Sequence, residues 1–106
     1  MSVDTAAYAA MAERIEATLR EIGAWTDPEH DPGPPEGAFG GGNMAFSQWV
    51  QFTLLPIVRA IGEGTTDPPA ESNAGARAVR EYDGYDAADP LVFALLDLDN
   101  LVNNNR

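Results

Sequence analysis

The residues of this chain that could do chemistry are few, and each sits in a context that argues against it. Asp97-Leu98-Asp99-Asn100 has the carboxylate density of a calcium loop. Such loops need oxygens on a turned backbone, a glycine and a distal bidentate glutamate. Here Asp97 and Asp99 fall two apart in a helical pattern and do not share a face, so both are expected on a solvated helix surface. Asp83-Gly84-Tyr85-Asp86 and Glu29-His30-Asp31 place carboxylates close together. Paired carboxylates do acid–base work when burial raises one pKa, and burial is not expected among glycines and prolines. His30 is the sole histidine. It cannot build a His-rich metal site, and its Pro-rich surroundings lack the rigid scaffold a catalytic base needs. Phe39-Gly40-Gly41-Gly42-Asn43 precedes a helix, as anion-binding loops do. Met44 and Ala45 stand where a phosphate loop has Lys and Ser or Thr. No cysteine is present, which excludes disulfides, thiolate catalysis and zinc–thiolate sites. The expectation is a chain with no catalytic residue, no cofactor and no metal.

The aromatic residues carry more weight. Trp25, Phe39, Phe46, Trp49 and Phe52 lie within one stretch of chain. Aromatic side chains dominate small cores, and core packing is one reading of this set. The other is a groove for a partner helix or a small apolar ligand. The candidate partner or ligand surface is Trp25, Phe39, Met44, Trp49 and Phe52, and the pocket version centres on Trp25, Phe39 and Trp49.

The elements that must position these residues are helices. Tyr8, Met11, Ile15, Leu19 and Ile22 form one stripe over residues 5–24, with Asp4 as N-cap and Gly23 as the stop. Residues 26–42 are rich in Pro, Gly and acids and read as an irregular loop. Residues 44–62 form the strongest helix, capped by Asn43, with a stripe of Phe46, Trp49, Val50, Leu54, Ile57 and Ile61 that Phe52, Leu55 and Val58 widen around much of the circumference. Pro56 lies inside it, lacks a donor and crowds the carbonyl at Phe52, so a bend over 52–56 is expected. Residues 63–71 form a second break. A short helix over 72–82 would start at Ser72, and DGYD would follow it as a turn. Asp89-Pro90 opens the last helix, 90–103, with Asp89 as N-cap. Its row is Leu91, Leu95, Leu98 and Val102, thickened by Val92, Phe93, Leu96 and Leu101. The tail after it is expected to fray. No segment alternates with period two. The fold expected is all-α: a small antiparallel bundle of about four helices, the central one kinked at Pro56, in a single domain spanning 1–106.

Charge narrows the partners. Seventeen acids face six arginines, no lysine is present, and the formal net charge is −11. Arg77 and Arg80 alone are close enough to form a basic patch. Nucleic-acid and anionic-membrane binding need clustered cations, so neither is expected. No apolar run approaches the roughly 20 residues a bilayer requires, and the N-terminus lacks the features of a signal peptide. A cytoplasmic location is the expectation. The missing lysine fits either a high-salt habitat or codon bias, and the oligomeric state stays open.

Leu19-Arg20-Glu21, Trp25, Phe39, Met44, Gln48-Trp49-Val50-Gln51-Phe52 and Leu55-Pro56 resemble the YqcC-like proteins. These are small bacterial proteins with an LRE…W segment and a Gln-Trp-Leu-Gln-Trp/Phe…Ile-Pro helix. The resemblance covers nearly the whole chain and is most specific over residues 39–57. Where that family has an Asp-Thr pair at the helix start, this chain has Gly42-Asn43. The resemblance implies a helical bundle and a link to a tRNA pseudouridine synthase, a suspected protein partner. A synthase needs a catalytic Asp in a much larger mixed domain. The expected role is therefore a non-enzymatic accessory or interaction module, with a small-molecule binder as the alternative.

Overall fold

The computed structural model describes residues 3–104. Asp4 opens helix α1 (Thr5–Glu21) by accepting the Ala7 N–H at 3.0 Å. This supplies one of the first-turn amides with the partner it lacks within the helix. The helix ends at Glu21 rather than at residue 24. Gly23 turns to φ +74°, the Ala24 N–H reaches the Leu19 carbonyl, and the Gly23 N–H reaches Arg20. These two bonds make a Schellman cap, for which a glycine suits the left-handed position.

Helix α2 covers residues 46–62 in three consecutive parts. Phe46–Trp49 is α-helical, Val50–Leu54 is a π-turn, and Leu55–Gly62 is α-helical again. Where a bend at Pro56 is expected, the helix carries this π-turn. With no N–H at Pro56 and its ring crowding the preceding turn, the ladder widens, and the Leu55 N–H bonds to the Val50 carbonyl five residues back. The widening shifts the stripe. Phe46, Val50, Leu55, Val58 and Ile61 are buried, whereas Ile57 is 45% exposed and Trp49 and Leu54 are half-buried. The step from Val50 to Leu55 is one π-turn, which replaces the expected Leu54 and Ile57 on the core face.

The start of α2 also corrects an expectation. Ala45 is the N-cap residue, and the Gln48 side chain accepts its N–H at 3.0 Å. Asn43 does not cap. Its Oδ1 accepts the Glu36 N–H at 2.9 Å and its Nδ2 donates to the Pro34 carbonyl at 3.0 Å. It ties the Pro-rich loop down just before α2. That loop contains two single 3-10 turns, Pro28–His30 and Ala38–Gly40.

The weakest helical signal proves to be a helix. Helix α3 spans Ala74–Glu81, preceded by Asn73 rather than by a Ser72 cap. A 3-10 turn, Asp86–Ala88, leads into α4 (Asp89–Asn103). Ala88 precedes α4, so Asp89 and Pro90 lie in its first turn and Asp89 is not the cap. Leu91, Leu95, Leu98 and Val102 are buried as their spacing predicts, but Phe93 is 56% exposed. Of the tail 103–106, expected to fray, Asn103 is instead held in α4 and bonds to Ser72, Asn104 closes a backbone bond to Asn100, and residues 105–106 lie outside the described residues.

Helix α1 packs on the second half of α2 and on α4, and α3 packs on α4. Two glycines allow the closest approaches. A Cβ at Gly62 would sit 2.8 Å from the Ala9 backbone nitrogen, and one at Gly75 2.5 Å from the Leu96 backbone. Tyr8, Ile15 and Leu19 from α1 meet Leu55 and Val58 from α2 and Leu91, Leu95 and Leu98 from α4 in one core. Each such side chain removed from water contributes about 1.5–3 kcal/mol. The chain is an all-helical bundle of four helices, with no strand among the described residues.

Candidate functional site

The expected aromatic surface is partly assembled. Phe46 and Trp49 stand one turn apart on α2 and stack at 5.8 Å with ring planes 23° apart. Phe39 comes from the loop and meets Trp49 edge-on at 4.9 Å. It also lies 6.2 Å from Phe46. Tyr82, at the end of α3, meets Phe46 edge-on at 6.0 Å, and Tyr85 lies 6.4 Å beyond it. These separations and tilts suit the quadrupoles of the rings. Phe46 is buried, while Phe39, Trp49 and Tyr82 are half-buried. The rings form a platform with one side in the core and the other toward solvent.

Phe39 is held in an unusual way. Its backbone is left-handed, with φ 54° and ψ 29°, a conformation uncommon outside glycine, Asn and Asp. Gly40 follows with φ +68°, and the Met44 side chain occupies the space a Cβ there would need, at 2.6 Å. The glycines after Phe39 therefore let the loop fold over Met44 and turn the ring onto Trp49. They are not arranged around an anion. Arg77 of α3 covers Phe39 from outside, with its guanidinium carbon 5.3 Å from the ring centre.

Trp25 and Phe52 stand apart from the platform. Trp25 lies under the Arg20 guanidinium at 4.2 Å. The residue after it is gripped by Gln51, whose Oε1 accepts the Thr26 N–H at 2.8 Å and whose Nε2 donates to the Thr26 carbonyl at 2.7 Å. Phe52 is half-buried and makes no ring contact among the described residues. Trp25 makes no ring contact with Phe39 or Trp49 among the described residues, whereas those two meet each other. A cleft beside Phe39 is lined by Asn73, Ala76, Arg77 and Arg80, and holds about 130 Å³. Pockets for drug-sized ligands are usually about 300 Å³ or more.

Two polar features escape the sequence reading. Burial raises the Tyr82 phenol above its ordinary pKa. A hydrogen bond with the Ser47 side chain opposes the rise, and Glu81 and Tyr85 add to it. Asp99, expected on a solvated face, is 8% exposed. Its Oδ2 accepts the Gly75 and Ala76 N–H groups at 2.9 and 3.2 Å, and its Oδ1 accepts the Ser72 hydroxyl at 2.7 Å. It caps α3 from a different helix, near the helix's positive end. Asn103 adds a two-point clamp on Ser72, accepting its N–H and donating to its carbonyl, each at 2.9 Å. Asp97 is exposed and pairs with Arg14 at 2.5 Å. Asp83, Asp86 and His30 are all exposed and lie on separate turns. Among the described residues, no three His, Cys, Asp or Glu side chains are grouped to hold a metal ion, and no helix is long and apolar enough to cross a membrane.

Fold and site together define a small all-helical protein that presents a half-exposed aromatic platform. The chain belongs to the DUF446 family, described as tRNA pseudouridine synthase C, whose model matches residues 8–101. No curated protein and no solved structure matches it.

Proposed function

We propose that this domain is a non-enzymatic accessory module that binds protein in a tRNA pseudouridine synthase pathway in the bacterial cytoplasm, and that it is a YqcC-like member of its family. The observation that carries the reading is Trp49. It is fixed by Phe39 and Phe46 yet remains half-open to solvent. Binding energy at interfaces concentrates in Trp, Tyr and Arg held rigid before contact, and Trp49, Tyr82 and Arg77 share this platform. The family description, tRNA pseudouridine synthase C, supports the pathway part of the reading. The motif residues quoted for the resemblance have structural work in the fold. Gln48 holds the Ala45 amide, Gln51 holds Thr26, and Pro56 follows the π-turn. Asn43 ties down the loop. The buried acid, Asp99, is occupied in capping α3.

The test is direct binding of the purified domain to the tRNA pseudouridine synthase of the same cell, followed by calorimetry. Saturable binding that Trp49→Ala weakens at least tenfold, with helix content unchanged by circular dichroism, is the expected result. No binding at tens of micromolar, or pseudouridine formation by the domain alone on unmodified tRNA, would overturn the proposal.

A further inference from the structure

The outer faces of α3 and α4 border a groove that shares only Tyr82 with the platform. Val79 of α3 is 49% exposed and Phe93 of α4 is 56% exposed. Both line a concavity of about 320 Å³ whose floor includes Leu96. Its rim is acidic: Asp83, Asp86 and Asp89 all border it. None of the three forms an ion pair among the described residues, where the arginine bridges go to Glu16, Glu81 and Asp97. Two large apolar side chains thus stand in water beside three carboxylates that form no ion pair among the described residues.

We propose that this groove docks a basic amphipathic helix of a partner protein. The inference rests on the interaction-module reading and adds the partner's chemistry. The occupant inserts apolar side chains at i and i+3 or i+4 between Val79 and Phe93, the spacing by which a helix fills a groove. Lysines or arginines flanking that stripe meet the three aspartates. Charge selects this occupant over a second copy. Another copy would set the same three carboxylates against these, on a chain already at −11, and like charges across an interface disfavour the pairing. The same argument rejects an anionic membrane surface. Tyr82 borders the groove and also touches Phe46, so one partner can span groove and platform.

The test uses a synthetic helical peptide with leucines at i, i+3 and i+4 flanked by lysines, and a matched peptide with glutamates in place of the lysines. Amide shifts of the labelled full chain are followed on titration. The lysine peptide is expected to perturb residues 79–96 and to bind at least tenfold more tightly than the glutamate peptide. Phe93→Ser is expected to weaken it about tenfold, and Val79→Ser provides a second exposed variant. Asp83→Asn with Asp86→Asn and Asp89→Asn is expected to remove most of its salt dependence. Equal binding of the two peptides, perturbations confined to other residues, or concentration-dependent dimerisation abolished by Phe93→Ser would each overturn the groove assignment. If the synthase binds the domain and Phe93→Ser leaves its affinity unchanged, the groove proposal fails while the module reading stands. If the peptide maps to the groove and the synthase does not bind, the reverse holds.

Discussion

Asp99 caps a helix other than its own. Helix α3 has no side-chain cap of its own and contains few apolar residues. Asp99 supplies the acceptors for its first amides from across the interface. Replacing it with alanine leaves two amides and the Ser72 hydroxyl without that partner. The expected cost is about 2–4 kcal/mol in urea unfolding, combining a lost cap with unmet buried donors. Asp99→Asn keeps one acceptor oxygen and is expected to cost less than the alanine variant. A change below about 0.5 kcal/mol for Asp99→Ala would mean that the cap does not hold α3. Tyr82 makes a second prediction at this scale. Its pKa is raised in the fold, so the folded state holds the phenolic proton more tightly than the unfolded chain does. The resulting stability is complete below the ordinary tyrosine pKa of about 10 and is lost as pH rises through the higher folded value. Unfolding measured from pH 9 to 11 should show a steeper loss in the natural protein than in Tyr82→Phe.

At the scale of elements, contact geometry overrides intrinsic preference. In a free helix, replacing glycine with alanine stabilises by about 1 kcal/mol. At Gly75 the new methyl would meet the Leu96 Cα and N at 2.5 Å, atoms that cannot swing aside. The α3–α4 crossing would have to open. Gly75→Ala is expected to destabilise the domain by about 1–3 kcal/mol, the usual range for overpacking. A rise in the urea midpoint would contradict the close crossing. Helix α2 follows the same logic. Its hydrophobic stripe is legible in the sequence, and so is the disturbance at Pro56. Which residues then face inward depends on whether the backbone kinks or widens. It widens, and Leu55, expected at the margin of the stripe, takes the core position in place of Leu54.

The whole molecule is governed by its charge. Arg14, Arg20, Arg59 and Arg77 are each paired with an acid, and most of the seventeen acids have no cation to oppose them. Exposed pairs contribute about 0–1 kcal/mol each, whereas a net charge of −11 repels itself throughout the compact state. Added salt screens both, and the repulsion is the larger sum. Melting at 0.02 M and 0.5 M sodium chloride should therefore show a higher midpoint in salt. Recovery of about 1 kcal/mol corresponds to a rise of roughly 4–8 °C for a domain of this size. A falling midpoint would mean that the surface bridges outweigh the repulsion.

Composition and periodicity alone determined the helical class, the presence of the first and last long helices, the site of disturbance in α2 and the acidic surface. These are local properties: helical spacing sets an apolar face, and proline removes a donor wherever it stands. Tertiary structure decided what distance along the chain conceals. It drew Tyr82 and Arg77 into the platform with Phe39 and Trp49, and it left Trp25 beside Arg20. It also turned Asp99 from a presumed surface acid into the cap of a neighbouring helix. Those outcomes depend on which helix faces lie against each other, and no spacing within a single helix encodes them.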